Sequence, residues 1–154
     1  MKEAEALNNV AKFHEVFKHP VLGKPIIPAK KRCDLRVELM QEELNELQQA
    51  IIDNDVVEVA DALCDIQYVL AGAILEFGLG DKFADLFNEV QRSNMSKACE
   101  SQEEANETVA HYAKQGTEAY IKASGDEYLV YRKSDNKTLK SVNYSPADLK
   151  RILS

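Results

Sequence analysis

Six carboxylates fall in two short groups along the chain, and their spacing suits chemistry that acids perform together. The groups are Glu42, Glu43 and Glu46, followed by Glu58, Asp61 and Asp65. Residues three and four apart share one side of a helix, so each group would form one acidic stripe. Carboxylates grouped without a partner repel one another. A divalent cation would relieve that repulsion, and all-oxygen ligation favours Mg²⁺, Mn²⁺ or Ca²⁺ over zinc.

The two stripes lie on neighbouring predicted helices. Apolar residues at helical spacing predict one helix over about residues 31–52 and a second, unusually apolar helix over about 56–77. Turn and N-cap residues separate them at 53–55, so the helices should pack antiparallel. Glu46 would then face Glu58, and Glu43 would face Asp61. No lysine or arginine occurs between residues 37 and 81, so the stretch itself supplies no neutralising side chain.

Two other interpretations of the acids were weighed. The first is an ordinary solvated helix face, which the second acidic stripe and the absence of basic residues disfavour. The second is a ferritin-like diiron site, which requires Glu-x-x-His pairs. The three histidines, His14, His19 and His111, do not stand at that spacing.

The remaining elements predict a mainly α-helical bundle with a small β appendage. A helix over residues 1–18 precedes a proline-rich extended connector at 20–28, and a helix over 81–92 precedes a polar segment at 92–97. A capping-box helix at 101–114, a three-segment antiparallel meander and a short last helix beginning near 145–146 complete the chain. We therefore expect a helical domain of about four helices over 1–98 and a dependent appendage over 99–154.

Composition narrows the classes of partner. The chain has 154 residues with 19 Lys+Arg against 26 Asp+Glu, which gives a net charge of −7. A nucleic acid or an anionic membrane attracts a basic surface, so neither partner is expected. The 3 cysteines lack C-x-x-C spacing, and a reducing cytoplasm is the expected location.

The acidic motifs also carry a family resemblance. E-E-x-x-E at 42–46 and E-x-x-D at 58–61 resemble the signature of the all-α nucleoside triphosphate pyrophosphohydrolases. That superfamily includes MazG-like proteins, phosphoribosyl-ATP pyrophosphohydrolases and dimeric dUTPases. The segment 88–97 resembles the family's phosphate-contacting stretch, so the likeness extends over about residues 8–97.

The resemblance implies roles for particular residues. The implied metal ligands are Glu43, Glu46, Glu58 and Asp61, with Mg²⁺ as the cofactor and Mn²⁺ as its alternative. Glu42 would orient or deprotonate the attacking water. Asp65 departs from the minimal signature, and either holds a water or the sugar 3′-hydroxyl or is merely structural.

Other residues are candidates for contacting the substrate. Arg92, Asn94 and Lys97 offer cations and an amide to phosphate oxygens, although a solvated loop is the alternative there. Phe13 and His14 could wall a base pocket, since an aromatic face stacks on a nucleobase. Phe13 and the neighbouring Phe17 equally fit a plain core.

The implied function is hydrolysis of a nucleoside triphosphate, with a deoxynucleoside triphosphate favoured, to the monophosphate and pyrophosphate. Hydrolysis of phosphoribosyl-ATP is the alternative within the class, disfavoured by the terminal extensions of this chain. A non-catalytic helical interaction module is the alternative from another class. A hairpin of two apolar helices cannot cover its own faces, so we expect a homodimer or homotetramer.

Overall fold

The computed structural model describes residues 1–154, which form two compact units, Met1–Phe83 and Ala84–Ser154. Six α-helices and one two-stranded antiparallel sheet make up the chain. The predicted fold class, mainly helical with a small C-terminal β element, is thereby confirmed. The division predicted at residue 98 stays a prediction.

Three helices form the N-terminal unit. They are α1 (Ala6–Phe17), α2 (Lys30–Ile52) and α3 (Val56–Glu76), and a 3₁₀ turn (Gly80–Lys82) follows them. The apolar helix α3 packs against both α1 and α2. Val10 of α1 meets Ala71 and Leu75 of α3 in a buried cluster, so the C-terminal half of α3 lies at the centre of this unit.

The turn between α2 and α3 is built as its residues predict. Asn54 adopts a left-handed φ of 54°, which asparagine tolerates better than most residues. The Asp55 carboxylate accepts hydrogen bonds from the amides of Val57 and Glu58 at 2.9 and 3.2 Å. This N-cap fixes the point at which the chain reverses, and thus the register of the two acidic stripes.

The proline-rich connector between α1 and α2 is held by backbone hydrogen bonds. The amides of Leu22 and Ile26 donate to the carbonyls of Leu75 and Phe77 at 3.0 and 3.1 Å. Those carbonyls belong to the end of α3, where intrahelical partners run out. Gly78 has a φ of +67°, and a Cβ there would lie 1.9 Å from the Lys24 carbonyl oxygen, so only glycine fits.

The C-terminal unit combines helices with a hairpin. Its elements are α4 (Phe83–Met95, which starts at the last residue of the first unit), α5 (Gln102–Ala113), β1 (Ala119–Ser124), β2 (Glu127–Arg132) and α6 (Leu149–Leu153). The hairpin pairs Ala119 with Arg132 and Ser124 with Glu127, and α5 packs on both strands. A buried core joins Cys99, Ala105, Val130 and Leu139.

Three features of this unit differ from expectation. The predicted third β segment forms only an isolated bridge between Thr138 and Tyr131. Helix α4 continues to Met95 instead of ending near residue 92, so Arg92 and Asn94 lie on a helix. The last helix begins at Leu149 and not near residues 145–146, because its N-cap is Asp148, whose carboxylate accepts from the Arg151 amide at 3.2 Å.

By length and hydropathy, no single helix qualifies as a membrane span, although α3 and the segment 80–95 pass that test jointly as a bent pair.

Candidate functional site

The α2–α3 hairpin places all six acidic residues on the N-terminal unit. Glu43 is half-buried, and the other five carboxylates are exposed. Glu43 stands on the α2 side that packs toward α3, between two half-buried leucines one turn away on either side, Leu39 and Leu47. The helices therefore hold one carboxylate partly out of water and leave its neighbours accessible.

Glu43 is the electrostatic centre of the group. Burial raises the pKa of Glu43, and the nearby charges of Asp65, Glu46, Glu42 and Asp61 raise it further. Two of these neighbours lie on α2 and two on α3, so acids from both helices approach one point. The sequence predicts that Glu43 and Asp61 lie close together, and the effect of the Asp61 charge on the pKa of Glu43 agrees with that prediction.

The side chains do not stand in a finished coordination shell. No group of three or more His, Cys, Asp or Glu side chains is spaced to hold a metal ion. The predicted facing of Glu46 and Glu58 stays a prediction. Because like charges repel, the carboxylate side chains favour orientations that keep them apart. A bound cation would bring these side chains closer together.

A cavity opens beside this acidic centre, enclosed by α1, α2 and α3. Its volume is about 310 Å³, and Glu43 and Asp65 line it together with Phe13, His14 and Tyr68. The Phe13 ring stacks on His19 with centroids 5.9 Å apart and meets the Tyr68 ring edge-on at 5.5 Å. The structure thus brings three predicted substrate contacts, Phe13, His14 and Asp65, to the same cavity as Glu43.

His14 is buried at the wall of the cavity. Its Nδ1 lies 2.8 Å from the Pro20 carbonyl oxygen, which can only accept, so Nδ1 carries the proton and Nε2 is left as an acceptor. Burial lowers the pKa of His14, and the nearby Arg36 charge lowers it too, against the hydrogen bond to Pro20. The ring is therefore neutral near pH 7.

The predicted phosphate contacts belong to the C-terminal unit. The Arg92 guanidinium donates to both Glu89 oxygens at 2.9 and 2.8 Å and to Ser145 Oγ at 3.0 Å. The Lys97 ammonium donates to Asn94 Oδ1 at 2.7 Å. Lys97 and Asn94 thus form one pair, and Arg92 is held by a carboxylate of its own helix.

Sequence reasoning missed an ionic cluster in the N-terminal unit. The Glu76 side chain is 1% exposed and accepts hydrogen bonds from Arg32 and Arg36. Burial would raise the pKa of Glu76, but the two guanidinium groups outweigh it, so this pKa lies below its usual range. The available signals were a lone acid near the end of an apolar helix and two arginines four residues apart.

Comparison with known proteins identifies the family. The profile of the phosphoribosyl-ATP pyrophosphohydrolase family matches residues 10–94, more than half of the chain and the whole α2–α3 hairpin. No curated protein matches the sequence. The family description names pyrophosphate-releasing hydrolysis of a nucleotide. The chain belongs to the phosphoribosyl-ATP pyrophosphohydrolase family, within the all-α nucleoside triphosphate pyrophosphohydrolase superfamily, and is a nucleotide pyrophosphohydrolase.

Proposed function

We propose that this chain hydrolyses a nucleoside triphosphate, a deoxynucleoside triphosphate in the favoured case, to the monophosphate and pyrophosphate. The observation that carries the proposal is the convergence of carboxylates from α2 and α3 on Glu43, beside a cavity with aromatic walls. The cavity suits the base and the acids suit the phosphate end. The family match supplies the reaction class.

Four residues would hold Mg²⁺, or Mn²⁺ in its place: Glu43, Glu46, Glu58 and Asp61. Carboxylate oxygens are the donors that these cations prefer. The carboxylates around Glu43 help to raise the pKa of Glu43, and the hairpin contributes no basic side chain after Arg36. When bound, the cation offsets phosphate charge and makes phosphorus more electrophilic.

The chain's own groups supply the rest of the chemistry. Glu42, exposed and adjacent to Glu43 in sequence, would orient the attacking water and accept its proton. The water oxygen bonds to phosphorus as the bridging phosphoanhydride bond breaks, and pyrophosphate leaves. Asp65 lines the cavity and would hold the sugar 3′-hydroxyl or a water beside it. Arg92, Asn94 and Lys97 belong to the other unit, and their contact with phosphate oxygens stays a prediction from the sequence.

Phosphoribosyl-ATP is the second candidate substrate. The matching family is named after this substrate, but the match supports the two substrates equally. The residues beyond the matched range, 95–154, exceed a minimal phosphoribosyl-ATP hydrolase domain, which is our reason for placing nucleoside triphosphates first.

One experiment separates the candidates. The purified chain is incubated with Mg²⁺ and each ribo- and deoxyribonucleoside triphosphate or phosphoribosyl-ATP, and products are identified by ion-exchange chromatography. Pyrophosphate plus a monophosphate from a triphosphate supports the proposal, and release only from phosphoribosyl-ATP supports the second candidate. Absence of turnover on every substrate would favour a non-catalytic helical module.

A thermal-shift assay tests the metal site independently of substrate. Ligands that bind the folded state raise the melting temperature by mass action. Mg²⁺ or Mn²⁺ should raise Tm, whereas Na⁺ at matched ionic strength should not. A surface whose acids never act together would show no such difference.

We also propose that a second copy of the chain covers the hairpin. An apolar ladder, defined as Val37, Leu44 and Ile51 on α2 with Leu70, Leu63 and Val56 on α3, is exposed at every rung. Both rows repeat every seventh residue, and the rungs pair across the antiparallel hairpin. An α-helix turns by about 100° per residue, and this rotation places the α3 residues of the ladder on the side of the helix opposite the acidic stripe. A partner could bury it without covering the carboxylates.

A further inference from the structure

The ionic cluster around Glu76 carries more positive charge than its single carboxylate can balance. Arg32 Nε donates to Glu76 Oε2 at 2.9 Å, and Arg32 and Arg36 both donate to Oε1. Two guanidinium groups therefore share one anion in a buried setting. Buried charge is costly unless it is paired, so one of these cations has capacity for a further acceptor.

Arg36 is the cation with unused donors. Its side chain is 8% exposed, and Nη2 donates to Glu76. Its Nε is buried and finds no acceptor in the protein. Its Nη1 lies 2.7 Å from the position that a Cβ on Gly72 would take. The absence of a side chain at 72 therefore makes room for this guanidinium.

Arg36 also lines the cavity that holds Glu43 and Asp65, whereas Arg32 does not. Beside it stands His14, whose Nε2 is 3.1 Å from the same Gly72 Cβ position. His14 offers one acceptor because its Nδ1 proton is used by Pro20. This part of the cavity wall therefore has more hydrogen-bond donors than acceptors.

The order of groups around the cavity follows the order of groups in a nucleotide. Carboxylates supply a phosphate-directed part, and the Phe13 and Tyr68 rings supply an apolar wall suited to a flat heterocycle. Arg36 and His14 supply a polar part with no other ligand-directed role. A nucleobase is the component of the substrate that offers both a flat face and a hydrogen-bonding edge.

We propose that Arg36 and His14 read the edge of the base and select bases that carry a carbonyl oxygen on that edge, which disfavours adenine. This inference rests on the proposed function. The carbonyl oxygen of uracil, thymine or guanine accepts two hydrogen bonds from Arg36, and the adjoining N–H donates to His14 Nε2. Cytosine is accepted as well, because its N3 and O2 accept from Arg36 while its amino group donates to His14 Nε2. Adenine offers one ring acceptor beside its amino group, which leaves a buried Arg36 donor unpaired.

Binding without turnover is the primary test. Isothermal titration with monophosphates in EDTA should give tighter binding of dTMP, dUMP, dGMP and dCMP than of dAMP, by about tenfold or more. Equal affinities across the five would overturn the inference. Hydrolysis of triphosphates with no base preference would overturn it too while leaving the proposed function intact, and no hydrolysis of any nucleotide would overturn the proposed function.

A matched pair of variants assigns the effect to Arg36. Arg36→Lys keeps a cation for Glu76 but removes the spare guanidinium donors, so the preference for dTMP over dAMP should collapse. Arg32→Lys changes the same cluster outside the cavity and should keep the preference. Gly72→Ala displaces the Arg36 guanidinium without replacing it and should weaken the preference as well. A preference that survives both Arg36→Lys and Gly72→Ala would contradict the assignment.

Discussion

Glu46 and Glu58 allow the proposed metal site to be tested one residue at a time, because glutamine keeps the shape of glutamate without its charge. If both residues hold one Mg²⁺, either substitution should lower kcat/KM by on the order of 10²-fold or more. The double variant should lose little beyond either single variant, because residues that act as a unit are non-additive. Steady-state pyrophosphate release is the measurement.

Glu38 supplies the control for that experiment. It is exposed on α2, one turn before Glu42 and outside both motifs. Glu38→Gln should leave activity nearly unchanged. Full activity in Glu46→Gln, or equal damage from Glu38→Gln, would contradict the assignment of ligands.

Substitution of Glu43 should change the thermal stability of the protein as well as its activity. Its pKa is raised by burial and by neighbouring acids, so the folded chain binds a proton here more tightly than the unfolded chain. Such a group lowers stability as pH rises above the ordinary carboxyl pKa. Glu43→Gln should therefore raise Tm in EDTA at pH 7, with no gain at pH values below that pKa.

Mg²⁺ should reverse the order of the two proteins, because the variant has lost a ligand. Scanning fluorimetry of both proteins with EDTA and with Mg²⁺ makes the comparison. A Glu43→Gln protein that melts below the wild type in EDTA at pH 7 would speak against mutual repulsion at this point.

At the scale of the element, α4 has a carboxylate that makes its unit sensitive to acid. Hydrogen bonds from Arg92 and from the Asp148 amide lower the pKa of Glu89 from 4.5 to about 2. The stability from this depressed pKa is present above the ordinary value and is lost as pH falls toward 2. Glu89→Gln should reduce the slope of Tm against pH in that range.

Glu89→Gln should reduce the slope of Tm against pH without abolishing it. A hydrogen bond from Arg132 likewise lowers the pKa of Asp135 to about 2, so this second group contributes over the same pH range. Glu107→Gln, a change at an exposed position of α5, serves as the control and should keep the wild-type slope. An unchanged slope in Glu89→Gln would show that the Glu89–Arg92 pair adds nothing to stability.

Periodicity predicted the helices well because their signals are local. The turn residues placed the α2–α3 junction, and Asp55 forms the N-cap expected of it. The prediction of a third β segment was wrong because a strand forms only beside a partner strand, and Thr138 makes a single bridge to Tyr131. Helix α4 continues beyond the end of its apolar pattern. There Ser93 is buried and its Oγ lies 2.9 Å from the Tyr144 hydroxyl, a contact that residue spacing in the sequence does not predict.

The candidate site was predictable to the same extent. Helical spacing and a short turn were enough to predict that Glu43 and Asp61 approach each other, since both facts belong to one hairpin. The pairing of Arg36 with Glu76 joins residues forty positions apart, and it depends on how α2 and α3 pack. Its local signs were an acid within a buried apolar run and two arginines four residues apart on α2.

At the scale of the whole molecule, the apolar ladder predicts an oligomer. Its six side chains are 38% to 77% exposed, which is unusual for a contiguous apolar surface of a monomer. Replacing the central rung with Leu44→Gln and Leu63→Gln should dissociate the assembly, because burial of those side chains drives association. Sedimentation velocity at micromolar concentration measures the outcome.

Val16 provides the matched control for the ladder. It is 69% exposed on α1, away from the hairpin, and Val16→Gln should leave the sedimentation coefficient unchanged. A wild-type chain that sediments as a well-folded monomer at that concentration would refute the second-copy proposal.

The connector between α1 and α2 has a consequence for the timing of amide hydrogen exchange. Its apolar side chains Val21, Leu22, Ile26 and Ile27 are exposed, yet two of its amides are bonded to the end of α3. Such amides exchange only when their bonds open. In D₂O, Leu22 and Ile26 should retain protons long after their neighbours, at rates that follow the last turn of α3. Amide exchange in this exposed connector would thus measure how often the C-terminal end of α3 opens.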